Sequence, residues 1–361
     1  MSRPPVSHQS APQNRRRRRR RRQTSRALVV LCLLLFLGAG VYGFIRSIVR
    51  PPELPKTTVP DPIVEQDPAS PKDGGNQTNP EDGKDPKPSK PVFTRKDLYF
   101  TILVSGLDDD NGGSDTNILL SIDGKNKRIN AVSLPRDTLI DVDWNVKKLN
   151  SAYNVGGTAR LKQEASRMLG IPIDFYITVN LEGFVELVDA IGGVTFDVPI
   201  DMNYDDPVQD LHIHFTKGSQ HLSGEEALKV VRFRHNNDGT GYGTEDIGRI
   251  GTQQKFLMTV AKQMLSNLDL KSIQAYAAVF MNYVKTDLTV GNLVWMGEIA
   301  LGAGMDNIRF YTLPGDGSGY YKKVSYYILY PDQVLTLVND SFNPYHEPLT
   351  MENLHILSPK S

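Results

Sequence analysis

Cysteine is almost absent: Cys32 is the only one in 361 residues. That excludes an internal disulfide framework and a cysteine-based zinc cluster. Acidic residues are missing altogether before residue 51, a stretch that carries 12 arginines. The chain has 41 basic and 41 acidic side chains, so its zero net charge is the sum of two unlike parts. Taking those 12 arginines away leaves 29 basic against 41 acidic residues, a balance of −12. Such asymmetry points to a basic tail that meets a membrane or a nucleic acid. Paired glycines occur at Gly156-Gly157 and Gly192-Gly193, but neither pair belongs to a dinucleotide-binding or P-loop pattern. An ATP or NAD role therefore has no support, and the pairs read as tight turns at helix–strand junctions. With 39% hydrophobic and 23% charged residues, the composition excludes a wholly disordered chain, a collagen and a polytopic membrane protein.

What is present divides the chain into four parts. Residues 1–26 form a basic tail dominated by the run from Arg15 to Arg22. Residues 27–45 contain no charge. A helix of that length, at about 1.5 Å per residue, matches a bilayer core. The arginine excess on its N-terminal side predicts a cytoplasmic N-terminus and an exterior location for everything after Ile45. The run is longer than an ordinary signal-peptide core, which favours an uncleaved anchor, although Gly38-Ala39-Gly40 offers small residues to a peptidase. Anionic lipid headgroups are the expected partner of Arg15 to Arg22; no nucleic acid is expected, because an external domain is poorly placed to reach one. Residues 46–92, with eleven prolines between Pro51 and Pro91, read as a disordered extracellular spacer.

Residues 93–361 read as one α/β domain with a mostly central sheet flanked by helices. Short β-branched runs at 98–105, 117–122 and 129–134 predict buried strands, with more strands at 176–179, 194–199, 308–313 and 326–329. Helical periodicity covers 158–169, 181–191, 223–233, 245–268, 270–284, 288–301 and 332–339. Ser223 and Glu226 form a capping-box pattern at the start of one of them.

Four charged stretches stand at strand or helix ends. Asp108 follows one strand and Asp115 precedes the next, so neighbouring strands would bring both carboxylates to one sheet edge. Such carboxylates with adjacent hydroxyls suit Mg²⁺; the same residues also read as a solvated acidic turn. Pro135-Arg136-Asp137 ends a buried strand and predicts a guanidinium at that edge. Arg232 and Arg234 converge if their segment is extended and splay if it is helical. Asp246, Arg249 and Gln253 are spaced to share a helix face. Four arginines near two aspartates, in a domain of negative charge, describe an anion site with a metal.

The stretches GLD…SDT, AVSLPRDT, KLNSAYNVGG, GFVELVDAIGGV, LSGEEALKVVRFR and EDIGRIGTQQKF occur in that order across 98–265. Together they resemble the LytR–CpsA–Psr family, which attaches glycopolymers to the cell wall of Gram-positive bacteria. The resemblance implies an α/β/α sandwich around a central mixed sheet, preceded by a single transmembrane helix. It further implies a polyprenyl diphosphate-linked glycopolymer as donor, peptidoglycan as acceptor and Mg²⁺ near the diphosphate. Position by position, Asp108 and Asp115 match the metal-associated acids. Arg136, Arg232, Arg234 and Arg249 match diphosphate-binding arginines, Lys148 the basic residue of KLNSAY, and Gln253 the first of two paired glutamines. Asp246 matches an acid of the same cluster. Two departures stand out: Asp109 and Asp110 where a serine and a basic residue are common, and Thr252 where an arginine usually precedes the glutamines.

The implied reaction is attack of a peptidoglycan hydroxyl on the sugar-proximal phosphorus, with Arg136 and the metal stabilising charge and Asp115 or Asp246 aligning or deprotonating the hydroxyl. A pyrophosphatase that passes the phosphoryl group to water, and a non-catalytic envelope regulator, are the other classes the same residues allow. Phe175, Val179, Leu187, Val188, Phe256 and Val260 are candidate linings for a lipid tail. His212 and His214 alternate as on a strand, lack a third zinc ligand at a characteristic spacing, and read as surface residues. The aromatic stretch 319–330 suits either sugar stacking or a partly buried strand.

Overall fold

The structure of the protein is a computed structural model that describes residues 49–55, 64–66, 92–107, 113–208, 210–242, 245–266 and 270–358. The arginine tail, the apolar run 27–45 and Asp108 lie outside the described residues. Among the described residues, no helix is long and apolar enough to cross a membrane.

The strands and helices follow the periodicities of the sequence closely. They are β1 (Tyr99–Leu107), β2 (Ser114–Asp123), β3 (Arg128–Ser133), α1 (Leu149–Leu169), β4 (Phe175–Asn180) and α2 (Leu181–Ala190). Next come β5 (Val194–Val198), β6 (Met202–Asp206), β7 (Leu211–Phe215), β8 (Gly218–Leu222), α3 (Gly224–Arg232) and α4 (Glu245–Ser266). The rest are α5 (Leu270–Tyr283), β9 (Val284–Thr286), α6 (Val290–Ala303), β10 (Ile308–Thr312), β11 (Gly315–Tyr321), β12 (Val324–Leu329) and α7 (Pro331–Ser341).

Six strands form the central sheet in the order β9-β4-β1-β2-β3-β10. The β1–β2, β2–β3 and β4–β9 pairs are antiparallel, and the β1–β4 and β3–β10 pairs are parallel, so the sheet is mixed as expected. Alternation along the strands buries both faces. Leu103, Leu119 and Val132 pack with Leu161 and Ala165 of α1 and Val334 and Val338 of α7. Phe100, Ile102 and Ile122 point the other way, to Met296 of α6 and its neighbour Leu288. A third apolar cluster joins α2, α3 and α4 to β5 and the β6–β7 ribbon, through Val188, Phe196, Ile213, Val230 and Phe256. Near the start of the domain, Asp174 accepts hydrogen bonds from Arg95 at 2.8 Å and from the Thr101 amide at 2.9 Å, all inside the core.

Two expectations are corrected. The glycine pair Gly156-Gly157 lies inside α1, where non-helical dihedrals kink the helix, and not at a helix–strand junction. Gly157 has φ +63°, a conformation that glycine adopts at little cost, so the pair divides α1 into a short helix that begins at Leu149 and the helix expected at 158–169. The proline-rich stretch is not wholly free of the domain. The Asn292 side-chain amide on α6 donates to the Arg50 carbonyl at 3.1 Å, Pro52 is buried, and Val64–Gln66 pairs in parallel with Val92–Thr94. Proline-rich backbone has few donors but keeps its carbonyls, which a side-chain amide can hold. Beyond the His212/His214 alternation and the aromatic stretch 319–330, the β6–β7 ribbon and β11 carry many polar residues and no apolar run that marks them as strands. Their outward positions are polar, and only the alternate residues pack inward.

Candidate functional site

The site grows from the edge where β1, β2 and β3 end. The β2–β3 register pairs Ile118 with Ser133, and the Leu134 amide continues it by donating to the Asn117 carbonyl at 2.8 Å. Carried three residues further, the same antiparallel register sets Asp115 opposite Arg136, and the two form an ion pair. Beneath them lies a buried polar group: Ser105 Oγ donates to Asn117 Oδ1 at 3.0 Å, and Asn117 Nδ2 donates to Ser114 Oγ at 3.1 Å. These bonds hold the start of β2, hence Asp115, on the sheet edge. Arg136 is held by its backbone as well, because its carbonyl accepts from the Asn150 amide at 3.0 Å in the first turn of α1.

Lys148 sits at the N-cap of α1 and lies 3.2 Å from the Asp137 carboxylate, with its ammonium 5.8 Å from the centre of the Tyr326 ring. It braces the residue next to Arg136 and does not line the cavity described below.

Two helices bring the remaining arginines to the same place. Ser223 and Glu226 cap α3 as the pattern predicts, and the helix ends at Arg232. Phe233 follows with extended dihedrals and is buried against Tyr242. The break between the two arginines is what allows both Arg232 and Arg234 to line one cavity. Along α4, Arg249 and Gln253 lie one turn apart and also line it. Gln253 Nε2 donates to the Val231 carbonyl at 3.0 Å, so this amide pins the end of α3 and with it the Arg232 turn. Asp246 is in the first turn of α4, but its side chain lies outside what the structure describes.

The cavity has a volume of about 490 Å³ and two chemically distinct regions. Asp115, Arg136, Arg232, Arg234 and Arg249 supply charge; Val104, Ile118, Phe184, Phe256 and Leu257 supply an apolar wall. A narrower polar recess shares Asp115, Arg136, Arg249 and Gln253 and continues past Ser133 to Tyr326 and Tyr327 of β12. Burial pushes the Tyr327 hydroxyl up to about 12, and it donates to the Leu313 carbonyl at 2.7 Å. The arrangement suits an amphiphile with an anionic head: guanidiniums grip phosphate oxygens, and the apolar wall accepts hydrocarbon.

Of six residues considered for a lipid groove, Val179 and Phe256 line the cavity. Phe175, Val188 and Val260 belong to packed cores instead, and Leu187 is not part of the lining. Asn150 and the β12 tyrosines line the site without having been singled out for it; KLNSAY and the aromatic stretch were the signals available. Thr252 does not line the cavity either. It is buried, and its hydroxyl donates to the Gly248 carbonyl at 3.1 Å and lies 3.1 Å from Tyr242 Oη.

The profile of the LytR_cpsA_psr family matches residues 70–342. The polyisoprenyl-teichoic acid–peptidoglycan teichoic acid transferase TagU of Bacillus cereus is 34% identical over 249 residues, which span 68% of this chain and 78% of that protein. The crystal structure of B. subtilis TagV is similar with a TM-score of 0.57 and 28% identity, covering 66% of this chain and 94% of that one. An X-ray structure of a transcriptional regulator from Enterococcus faecalis is similar with a TM-score of 0.56 and 28% identity, over 67% of this chain and 85% of that one. With the ordered motifs, the mixed sheet and a profile match over most of its length, the chain belongs to the LytR–CpsA–Psr family.

Proposed function

We propose that this protein transfers a phosphate-linked glycopolymer from a polyprenyl diphosphate carrier to peptidoglycan outside the cytoplasmic membrane. The observation that carries the reading is the convergence of Arg136, Arg232, Arg234 and Arg249 on a cavity with an apolar wall. A water-soluble anion would not need the wall, and a neutral lipid would not need four guanidiniums.

In the reaction, a hydroxyl of a peptidoglycan sugar attacks the sugar-proximal phosphorus. A new phosphorus–oxygen bond forms, the bond to the bridging oxygen breaks, and polyprenyl monophosphate leaves. The energy resides in the diphosphate, so no ATP is consumed. Arg136, Arg232, Arg234 and Arg249 bind and orient the phosphates and stabilise the charge that develops on their oxygens. Asp115 or Asp246 aligns the acceptor hydroxyl and takes its proton. Gln253 lines the cavity beside Arg249 and also fastens the end of α3, while Lys148 acts one step back, on Asp137.

An Mg²⁺ ion belongs to this proposal: the Asp115 side chain, ion-paired with Arg136, is 45% exposed beside Thr116, and Asp108 follows β1 in the sequence. Those carboxylates would hold the ion, which supplies charge neutralisation to the diphosphate when bound.

The proposed topology has residues 1–26 in the cytoplasm, a single-pass anchor at 27–45 and the catalytic domain at 93–361 outside. Its support is the division of charge, 12 arginines and no acid before residue 51. Arg15 to Arg22 would meet anionic lipids at about 1 kcal/mol per residue near the surface.

The test is to incubate the full chain in vesicles with a defined lipid-linked donor, peptidoglycan and Mg²⁺, and to follow labelled polymer into the wall fraction. Covalently attached polymer is the expected result. Phosphate release without attachment would instead assign a pyrophosphatase. Undiminished transfer by both Arg136→Ala and Asp115→Ala would leave a binding or regulatory role.

A further inference from the structure

The β6–β7 ribbon has two faces with different employment. Tyr204, Leu211 and Ile213 turn inward and line the cavity. The residues between them turn outward, and register pairs Asp205 with His212 and Asn203 with His214. Asp205 Oδ1 lies 2.5 Å from His212 Nδ1 and 3.2 Å from His214 Nε2. One carboxylate oxygen and two imidazole nitrogens thus lie within 4.8 Å of one another, the one such group among the described residues. His-Ile-His lacked a third ligand along the sequence; the antiparallel partner strand provides it.

The outer nitrogen of each imidazole is also engaged. His214 Nδ1 lies 2.8 Å from Asn203 Oδ1, and His212 Nε2 lies 3.4 Å from Asp210 Oδ1. Both outer partners are oxygen acceptors behind the rings, and on the inner side both rings hydrogen-bond the Asp205 oxygen, so a metal taken up there would displace an inner proton. In metal sites the tautomer and ring angle of a histidine ligand are set by an oxygen behind the ring. Two imidazoles and one carboxylate, with a solvent-facing fourth position, match the donor preference of a borderline divalent cation and not of Mg²⁺. The 3.2 Å between His214 Nε2 and Asp205 Oδ1 suits two ligands on one tetrahedral ion with bonds of about 2.0–2.1 Å, whereas the 2.5 Å between His212 Nδ1 and Asp205 Oδ1 is a hydrogen bond that must lengthen when a metal replaces its proton.

We propose that Asp205, His212 and His214 form a Zn²⁺-class metal site on the outer face of the β6–β7 ribbon, with water as fourth ligand. Bound metal links β6 to β7 and so stiffens the wall that carries Tyr204 and Ile213. The site differs from Asp115 in the element that carries it and in ligand chemistry.

The experiment uses the full chain in detergent, stripped with a chelator and titrated with ZnCl₂ by calorimetry, then with CoCl₂ by visible absorption. Wild type is expected to take up one equivalent that excess MgCl₂ does not displace, with the d–d bands of tetrahedral Co²⁺. His214→Gln and Asp205→Asn should abolish that equivalent while leaving the circular dichroism unchanged. Asn203→Ala retains all three ligands and should weaken binding by roughly 10–100-fold, because only the oxygen behind His214 is lost. The proposal fails if wild type takes up no zinc, or if the equivalent survives in a folded His214→Gln/Asp205→Asn double variant.

Discussion

Asp115 and Arg136, 21 residues apart in the chain, form an ion pair across the open edge of β2 and β3. The pair is a consequence of register, since both residues lie three positions beyond the Ile118–Ser133 pair of an antiparallel ladder. Its members have opposite effects on an arriving diphosphate, one repelling it and the other binding it. Removing either therefore changes the charge that the other presents.

Arg136→Ala is expected to lower kcat/KM for polymer transfer by about 10²–10³, the scale of losing one preorganised charge contact. Arg136→Lys should recover little of it, because an ammonium cannot reproduce a two-pronged grip. The Asp115→Ala/Arg136→Ala double variant should lose less than the sum of the single losses, since residues in contact are coupled. Additive losses in that cycle would show that the pair acts independently.

Thr252→Arg restores the arginine common in the family, and its expected outcome is lower stability without faster transfer. Thr252 is buried and bonded to Gly248 and Tyr242, away from the cavity lining. Overpacking there costs about 1–3 kcal/mol before any charge is desolvated. Urea unfolding and the transfer assay decide it; a faster enzyme of unchanged stability would contradict the placement.

Asp174→Ala is expected to destabilise the domain by about 3–5 kcal/mol, read by chemical denaturation, because it leaves Arg95 buried without its carboxylate. An Arg95→Met/Asp174→Leu double variant should regain much of that loss. It removes both charges together.

Acid should weaken the α3 cap. Hydrogen bonds from the Ser223 amide and then its hydroxyl hold the Glu226 carboxyl below its ordinary value of 4.5. A carboxyl depressed in the folded state contributes stability that is present above its unfolded value and lost as pH falls through its folded value. Wild type should accordingly lose stability more steeply than Glu226→Gln as pH drops below about 4.5, measured as melting temperature against pH.

Much of the outline was legible along the chain. Three buried strands, the Ser223–Glu226 cap and the long α4 all follow from local periodicity and capping chemistry. Arg249 and Gln253 share a face because helical spacing places them one turn apart. The kink at Gly156-Gly157 is not legible along the chain, since a φ of +63° serves within a helical stretch as readily as at its end. Of the β6–β7 ribbon only the His212/His214 alternation marks a strand along the chain, because half-exposed strands rich in Asp, Asn and His contain no apolar run.

The sequence by itself determined which segments become strands and helices, how charge divides between the two parts of the chain, and which side chains carry phosphate-binding chemistry. Only the tertiary structure decided which of those side chains meet. Arg232 and Arg234 converge because α3 ends between them, Gln253 fastens that end to α4, and Asp205 reaches His212 and His214 across a ribbon. The reason is range. Dihedral preference and hydrophobic period act over a few neighbours, whereas register and strand order are settled by burying both faces of a sheet assembled from distant segments.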